Sequence, residues 1–154
     1  MRLLLAAALS VFTVPAAMAA DTAGPLWQKT CAQKDGACWV EQFAISMPNK
    51  VVALHVRFDL QPGGAARMIA TAPLGVALQP GLRLILDGST PIVLPFERCT
   101  PQGCHASAML DKAAIEKFVK GTTLIVRYVV SEKTSADIPI RLEGLKDALK
   151  SLSP

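Results

Sequence analysis

The side chains best suited to nucleophilic, redox or metal chemistry in this sequence are four cysteines, Cys31, Cys38, Cys99 and Cys104, and two histidines, His55 and His105. The cysteines fall at Cys-x6-Cys and Cys-x4-Cys spacings. A thiol oxidoreductase typically presents Cys-x-x-Cys at a helix N-terminus, where the thiol pKa is lowered. Neither spacing fits that arrangement. Cys104-His105 beside Cys99 could be drawn as part of a zinc site, yet the spacing matches no common structural zinc pattern, and neighbours along a strand point to opposite faces. A Ser-His-Asp hydrolase needs a nucleophile beside a base, and the Gly-x-Ser-x-Gly elbow is absent. A Gly-rich phosphate loop, an EF-hand loop and His-Glu-x-x-His are absent too. The carboxylates are few and dispersed, so no glycosidase-type pair stands out. Both histidines fall on the polar faces of expected strands and read as surface residues. No catalytic, cofactor-binding or metal-ligating residue is therefore nominated, and the four cysteines are assigned to structure.

The compartment follows from the first twenty residues. Arg2 supplies a charged start, Leu3 to Val14 an apolar run, and Ala17-Met18-Ala19 a small-x-small cleavage site. This is the pattern of a secretory signal peptide over residues 1–20, and the run is shorter than the ~20 residues needed to span a bilayer. The residue after the cut is Ala20 or Asp21 and not cysteine, which argues against a lipid anchor. No later stretch is long and apolar enough for a transmembrane segment. The remainder, 21–154, is expected to form one exported domain with one core.

In an oxidising compartment an even cysteine count argues for two disulfides. Spacing alone leaves three connectivities open. The local pairs Cys31–Cys38 and Cys99–Cys104 are favoured because each flanks a turn sequence. Loop-closure entropy would give each about 2–2.5 kcal/mol. The sixteen basic and twelve acidic residues give a net charge of +4 and are scattered without runs, so nucleic-acid or anionic-membrane binding has little support.

The elements that hold these residues are strands. Pro73–Leu110 reads as two successive hairpins, the second closed at its tip by Cys99 and Cys104, on which the rest is expected to pack. A first hairpin is expected from Pro25–Ala32 and Cys38–Ile45 around Gln33-Lys34-Asp35-Gly36, with Trp27 and Trp39 in or near the core. Val52, Leu54, Val56, Phe58 and Leu60 alternate with Ala53, His55, Arg57 and Asp59, the period of a half-buried strand. Met68–Thr71 is a short successor. A turn at Gln79-Pro80-Gly81 uses a positive φ at Gly81. Pro91–Arg98 is expected as one strand, at an edge or bulged because of Pro91 and Pro95. On the return strand Cys104, Ala106, Ala108 and Leu110 share an inner face, turning His105 and Ser107 outward. Asp111 and Gly121 bound the one substantial helix, as N-cap and C′ residue. Thr122–Val130 is expected to be a central strand, Ile138–Leu142 an edge strand, and Leu145–Leu152 a helical turn. The expected fold is all-β and mainly antiparallel: a β-sandwich with one short covering helix, a closed barrel being the alternative. Thr100–Gly103, Gln61–Arg67 and Val130–Asp137 are the candidate binding loops.

The ordered set of these features resembles the invasion-associated locus B proteins of Gram-negative bacteria. Trp27 precedes Cys31 and Cys38; Pro73-Leu74-Gly75-Val76 with Leu78, Gly81 and Asp87 resembles a central block. Phe96-x-x-Cys99 with Gly103-Cys104-x-Ala106 resembles a cysteine hairpin, and Leu142-x-Gly144-x-x-x-Ala148-Leu149 closes the match. His105 stands where an apolar residue is expected, and Leu145 where an aromatic one is common. The resemblance implies a periplasmic or envelope-associated β-sandwich, linked in some host-associated bacteria to entry into host cells, and supplies no catalytic mechanism. The expected role is a non-enzymatic periplasmic protein that binds an envelope or host component, association with the outer membrane being an alternative location. A secreted virulence factor is the second reading and a thiol-active or hydrolytic enzyme the third.

Overall fold

Short runs rich in apolar residues and separated by turns become ten strands, and in the computed structural model, which describes residues 26–33 and 36–153, they form two facing sheets. The expected signal peptide lies outside the described residues, as do Lys34 and Asp35 of the first turn. In chain order the strands are β1 (Gln28–Cys31), β2 (Cys38–Ser46), β3 (Val51–Leu60), β4 (Ala66–Ala72), β5 (Leu82–Leu86), β6 (Ile92–Leu94), β7 (Arg98–Thr100) and β8 (Gly103–Leu110). Helix α1 (Lys112–Lys120) precedes β9 (Thr123–Ser131) and β10 (Thr134–Arg141), and α2 (Leu145–Lys150) follows. One sheet has the order β1-β2-β3-β4-β8-β7, the other β10-β9-β5-β6, and every pairing is antiparallel. This is a sandwich with four edges and not a closed barrel.

The core lies between the sheets. Val40, Leu54, Val56, Phe58, Met68, Ala70 and Ala106 face Leu82, Leu84, Leu124, Val126 and Ile140, all at 3% exposure or less. Three buried rings run through one end: Phe58 meets Trp27 edge-on at 5.5 Å and Phe118 of α1 at 5.9 Å. Edge-to-face contacts of this kind add to simple burial. Helix α1 starts where Asp111 accepts a hydrogen bond from the Ala114 N–H at 2.7 Å. Polar groups also tie the layers together. The Arg141 carbonyl accepts from Trp27 Nε1 and from Gln42 Nε2, and the Tyr128 hydroxyl donates to the Ala53 carbonyl at 3.0 Å.

Four expectations change. Pro91–Arg98 is not one strand: β6 ends at Leu94, the chain crosses between sheets at Pro95–Glu97, and β7 begins at Arg98. Both pieces are edge strands, and Pro91 and Pro95 flank β6 without lying in it, so neither removes a donor from a ladder. The Pro73–Leu110 stretch is consequently a clasp joining the two layers, with one hairpin in each sheet. Trp27 is core, but Trp39 is half-buried on the outer face, where the Arg57 guanidinium lies 4.1 Å from its ring centre. Gly121 is needed for space and not for a left-handed turn. Its φ is −72°, and a Cβ there would come within 2.8 Å of Leu86 Cδ1 and 3.0 Å of Leu142 Cδ1. Gly81 has its expected positive φ of 68°, although the turn hydrogen bond runs from its N–H to Leu78, one residue earlier than the Gln79-Pro80-Gly81 pattern implies.

Candidate functional site

Register decides which polar side chains meet. On the outer face of the six-stranded sheet Phe43 pairs with His55, His55 with Thr71, Thr71 with His105, and His105 with Arg98. One row thus crosses β2, β3, β4, β8 and β7. A neighbouring row runs Glu41, Arg57, Ile69, Ser107. Both rows, with Glu41 bonded to His55 outside the lining, floor a groove of about 660 Å³, walled by Arg67, Glu97, Thr100 and Gln102. A smaller groove of about 290 Å³ lies on the four-stranded sheet around Arg83 and Arg127, and one of about 390 Å³ lies where β2 of the six-stranded sheet meets β10 of the other, around Ile45 and Pro139.

Each histidine is held. His55 Nε2 sits 2.8 Å from Glu41 Oε2, and its ring stacks on Phe43 at 4.3 Å and 6°. Burial pushes the His55 pKa below its usual value; Glu41 opposes this, while Arg57 and His105 add to it. Burial alone would raise the Glu41 carboxyl, but hydrogen bonds from Thr30, Trp39 and His55, with the charge of His55, bring it below the usual range. His105 lies between two hydroxyls, with Thr71 Oγ1 2.9 Å from Nδ1 and Thr100 Oγ1 2.9 Å from Nε2. Burial and the nearby Arg98 lower its pKa, against a weaker pull from Glu97. Glu97 receives the Ser107 hydroxyl and an Arg67 guanidinium N–H at 3.4 Å. Arg98 is exposed and makes no ion pair among the described residues.

The parts of a catalytic triad are present but divided. His55 has a carboxylate partner and no hydroxyl within hydrogen-bond reach; His105 has two hydroxyls and no carboxylate. They stand two strands apart, roughly 10 Å at usual strand spacing. Cys31 and Cys38 are directly opposite across β1 and β2, and Cys99 and Cys104 across β7 and β8, each pair with its sulfurs 2.06 Å apart. Cys104 faces the core while His105 faces the groove, so the two cannot share a metal. No group of three or more His, Cys, Asp or Glu side chains comes together among the described residues.

The comparisons bear on this arrangement. The model of the invasion associated locus B (IalB) protein family matches residues 27–153, from the core tryptophan to the end of the described chain. The chain belongs to the IalB family. The crystal structure of invasion associated protein B from Bartonella henselae superposes with a TM-score of 0.73 at 20% identity, covering 83% of this chain and 92% of that one. At that identity the likeness speaks for the fold. Among curated proteins, no sequence matches.

In this IalB-family chain the binding loops expected from sequence contribute little to the main groove. The Thr100–Gly103 tip supplies Thr100 and Gln102, Gln61–Arg67 supplies only Arg67, and Val130–Asp137 borders the small groove on the opposite sheet. The groove is built from a sheet face, and sequence alone marks its two histidines as ordinary surface residues. Alternation showed that both point outward. The row that joins them through Thr71 depends on β4 pairing with β8, Thr71 and His105 being 34 residues apart, which no local pattern carries.

Proposed function

We propose that this protein is an exported, envelope-associated binding protein of the IalB type, non-enzymatic, with its ligand taken by the outer face of the six-stranded sheet. The row Phe43–His55–Thr71–His105–Arg98 carries the reading, because it joins an exposed ring, fixed polar groups and an unpaired guanidinium in one groove. Pockets with a few convergent polar groups are the usual form of binding sites. The division of triad parts between two histidines supports binding over hydrolysis, since a nucleophile needs a base that is itself oriented by a third group. Both cysteine pairs close hairpins and are assigned a structural role, which supports the same reading over thiol exchange. The export-type leader read from the sequence and the family membership support action in the periplasm or at the outer membrane, on an envelope or host component.

Retention on isolated cell envelopes tests this. The wild-type protein is expected to sediment with envelopes, and a variant carrying Phe43→Ala and Arg98→Gln to remain in solution while melting like wild type. Equal retention of both would contradict the assignment of the groove. Recovery of the wild-type protein from the medium, with binding to host cells lost in the same variant, would select the host-facing role.

A further inference from the structure

From the chemistry of the groove we infer that its ligand is an acidic oligosaccharide, a chain of sugar rings bearing carboxylate or phosphate groups. This inference rests on the binding role proposed above and names the class of ligand.

Three observations lead to it. The first is charge. Arg57, Arg67 and Arg98 line the groove against the single carboxylate of Glu97, which Arg67 and Ser107 already engage. Arg57 is held by Asp59 through two hydrogen bonds, of 2.6 and 3.0 Å, and Arg98 has no such partner. A free guanidinium is suited to a planar or tetrahedral oxyanion, which it can grip through two N–H groups.

The second observation is length. Five strands at usual spacing put Phe43 about 19 Å from Arg98, longer than one sugar ring and suited to an extended chain. The third is the kind of groups along that line. Thr71, Thr100 and Ser107 hydroxyls both donate and accept, as the hydroxyls of a glycan do. Phe43 is 46% exposed and stacked on His55, an apolar ring set at the far end of a polar line.

Other ligand classes fit less well. An extended peptide joins a sheet by running along the backbone of an edge strand, whereas this row runs across the strands and reaches an edge only at the three-residue β7. An acyl chain needs an enclosed apolar channel, whereas this groove lies open along a sheet face and interleaves Phe43, Val52, Ile69 and Pro73 with charged side chains.

The test is titration of the purified protein, followed by amide and imidazole NMR shifts. The probes are a heparin hexasaccharide, the phosphorylated core oligosaccharide of a bacterial lipopolysaccharide, neutral maltohexaose and hexaglutamate. Saturable binding of either acidic glycan, with shifts at His55 and His105, supports the proposal; the glycan preferred separates a host source from an envelope source. Arg98→Gln should weaken that binding about tenfold or more and reduce its salt dependence. Phe43→Ala should weaken it with little change in salt dependence. Failure of both acidic glycans to bind, binding of maltohexaose or hexaglutamate as tight as theirs, or indifference to both substitutions would overturn it. If Phe43→Ala with Arg98→Gln still abolished envelope retention in that case, the binding role would stand and only the ligand class would fall.

Discussion

His55 and Glu41 show how a partly buried pair makes a surface sensitive to acid. The folded state keeps His55 neutral at a pH where an unfolded chain would already take up a proton, because burial disfavours the charged ring and Glu41 only partly compensates. The unfolded state therefore binds more protons just below the ordinary histidine pKa of about 6.5, and stability falls with falling pH. Glu41 acts in the same direction lower down. Its pKa is held below the usual carboxylate value, so its contribution is present above that value and is lost as pH falls through the folded one. Unfolding midpoints are thus expected to decline from about pH 6.5 downward, with part of the slope removed in His55→Asn. NMR titration should place both histidines below 6.5, and a midpoint independent of pH between 7 and 5 would contradict the account. At this scale sequence reading was incomplete. It placed His55 and His105 on outer faces but gave them no partners, because Glu41 and Thr71 become neighbours only through strand register.

The β7–β8 hairpin is the element on which the groove wall depends. β7 has only three residues and lies at an edge, yet it carries Arg98 and Thr100. The Cys99–Cys104 pair fastens it, and the Glu97 N–H adds a hydrogen bond to the His105 carbonyl at 2.8 Å. Cys99→Ser with Cys104→Ser should cost about 2 kcal/mol in urea unfolding and free β7 without abolishing the fold. Loss of the His105 ring shifts with the core resonances intact would show it. The tip itself leaves no room for a side chain. Gly103 has φ of 138°, and a Cβ there would lie 2.3 Å from the Ala72 carbonyl oxygen. Gly103→Ala should cost at least about 2 kcal/mol, since neither backbone can move far. It should exceed the cost of Gly121→Ala, whose close contacts are side-chain ends that can shift. The cysteine hairpin, α1 and its Asp111 cap were legible from spacing and turn residues, all of them local signals. The sheet switch at Pro95 was not, since proline marks an edge without saying which sheet the chain enters next.

For the molecule as a whole, an all-β antiparallel form was legible because many short apolar-rich runs are separated by turn residues, while the choice of two layers over a closed barrel rests on strand pairings that no local pattern carries. The inner face of β4 and β8 explains why the layers can close tightly there. Ala66, Ala70, Ala72 and Ala106 are all buried to 1% exposure or less, opposite larger side chains of the other sheet. Ala106→Leu should overpack this face and cost about 1–3 kcal/mol, measured by thermal or denaturant unfolding. The site was harder to read because it belongs to no segment. Its row takes one residue from each of five strands, and only the full strand order brings them into line. Since that row is the basis of the functional reading, the most direct measurement is site-specific photo-cross-linking in living cells. A photoreactive side chain would be placed at Phe43 or Gln102 in the groove, and at Arg83 or Val129 on the outer face of the opposite sheet. Discrete adducts from both groove positions and none from the opposite sheet are predicted. Adducts confined to Arg83 and Val129 would show that the protein binds through its other face, and the assignment of the groove would fail.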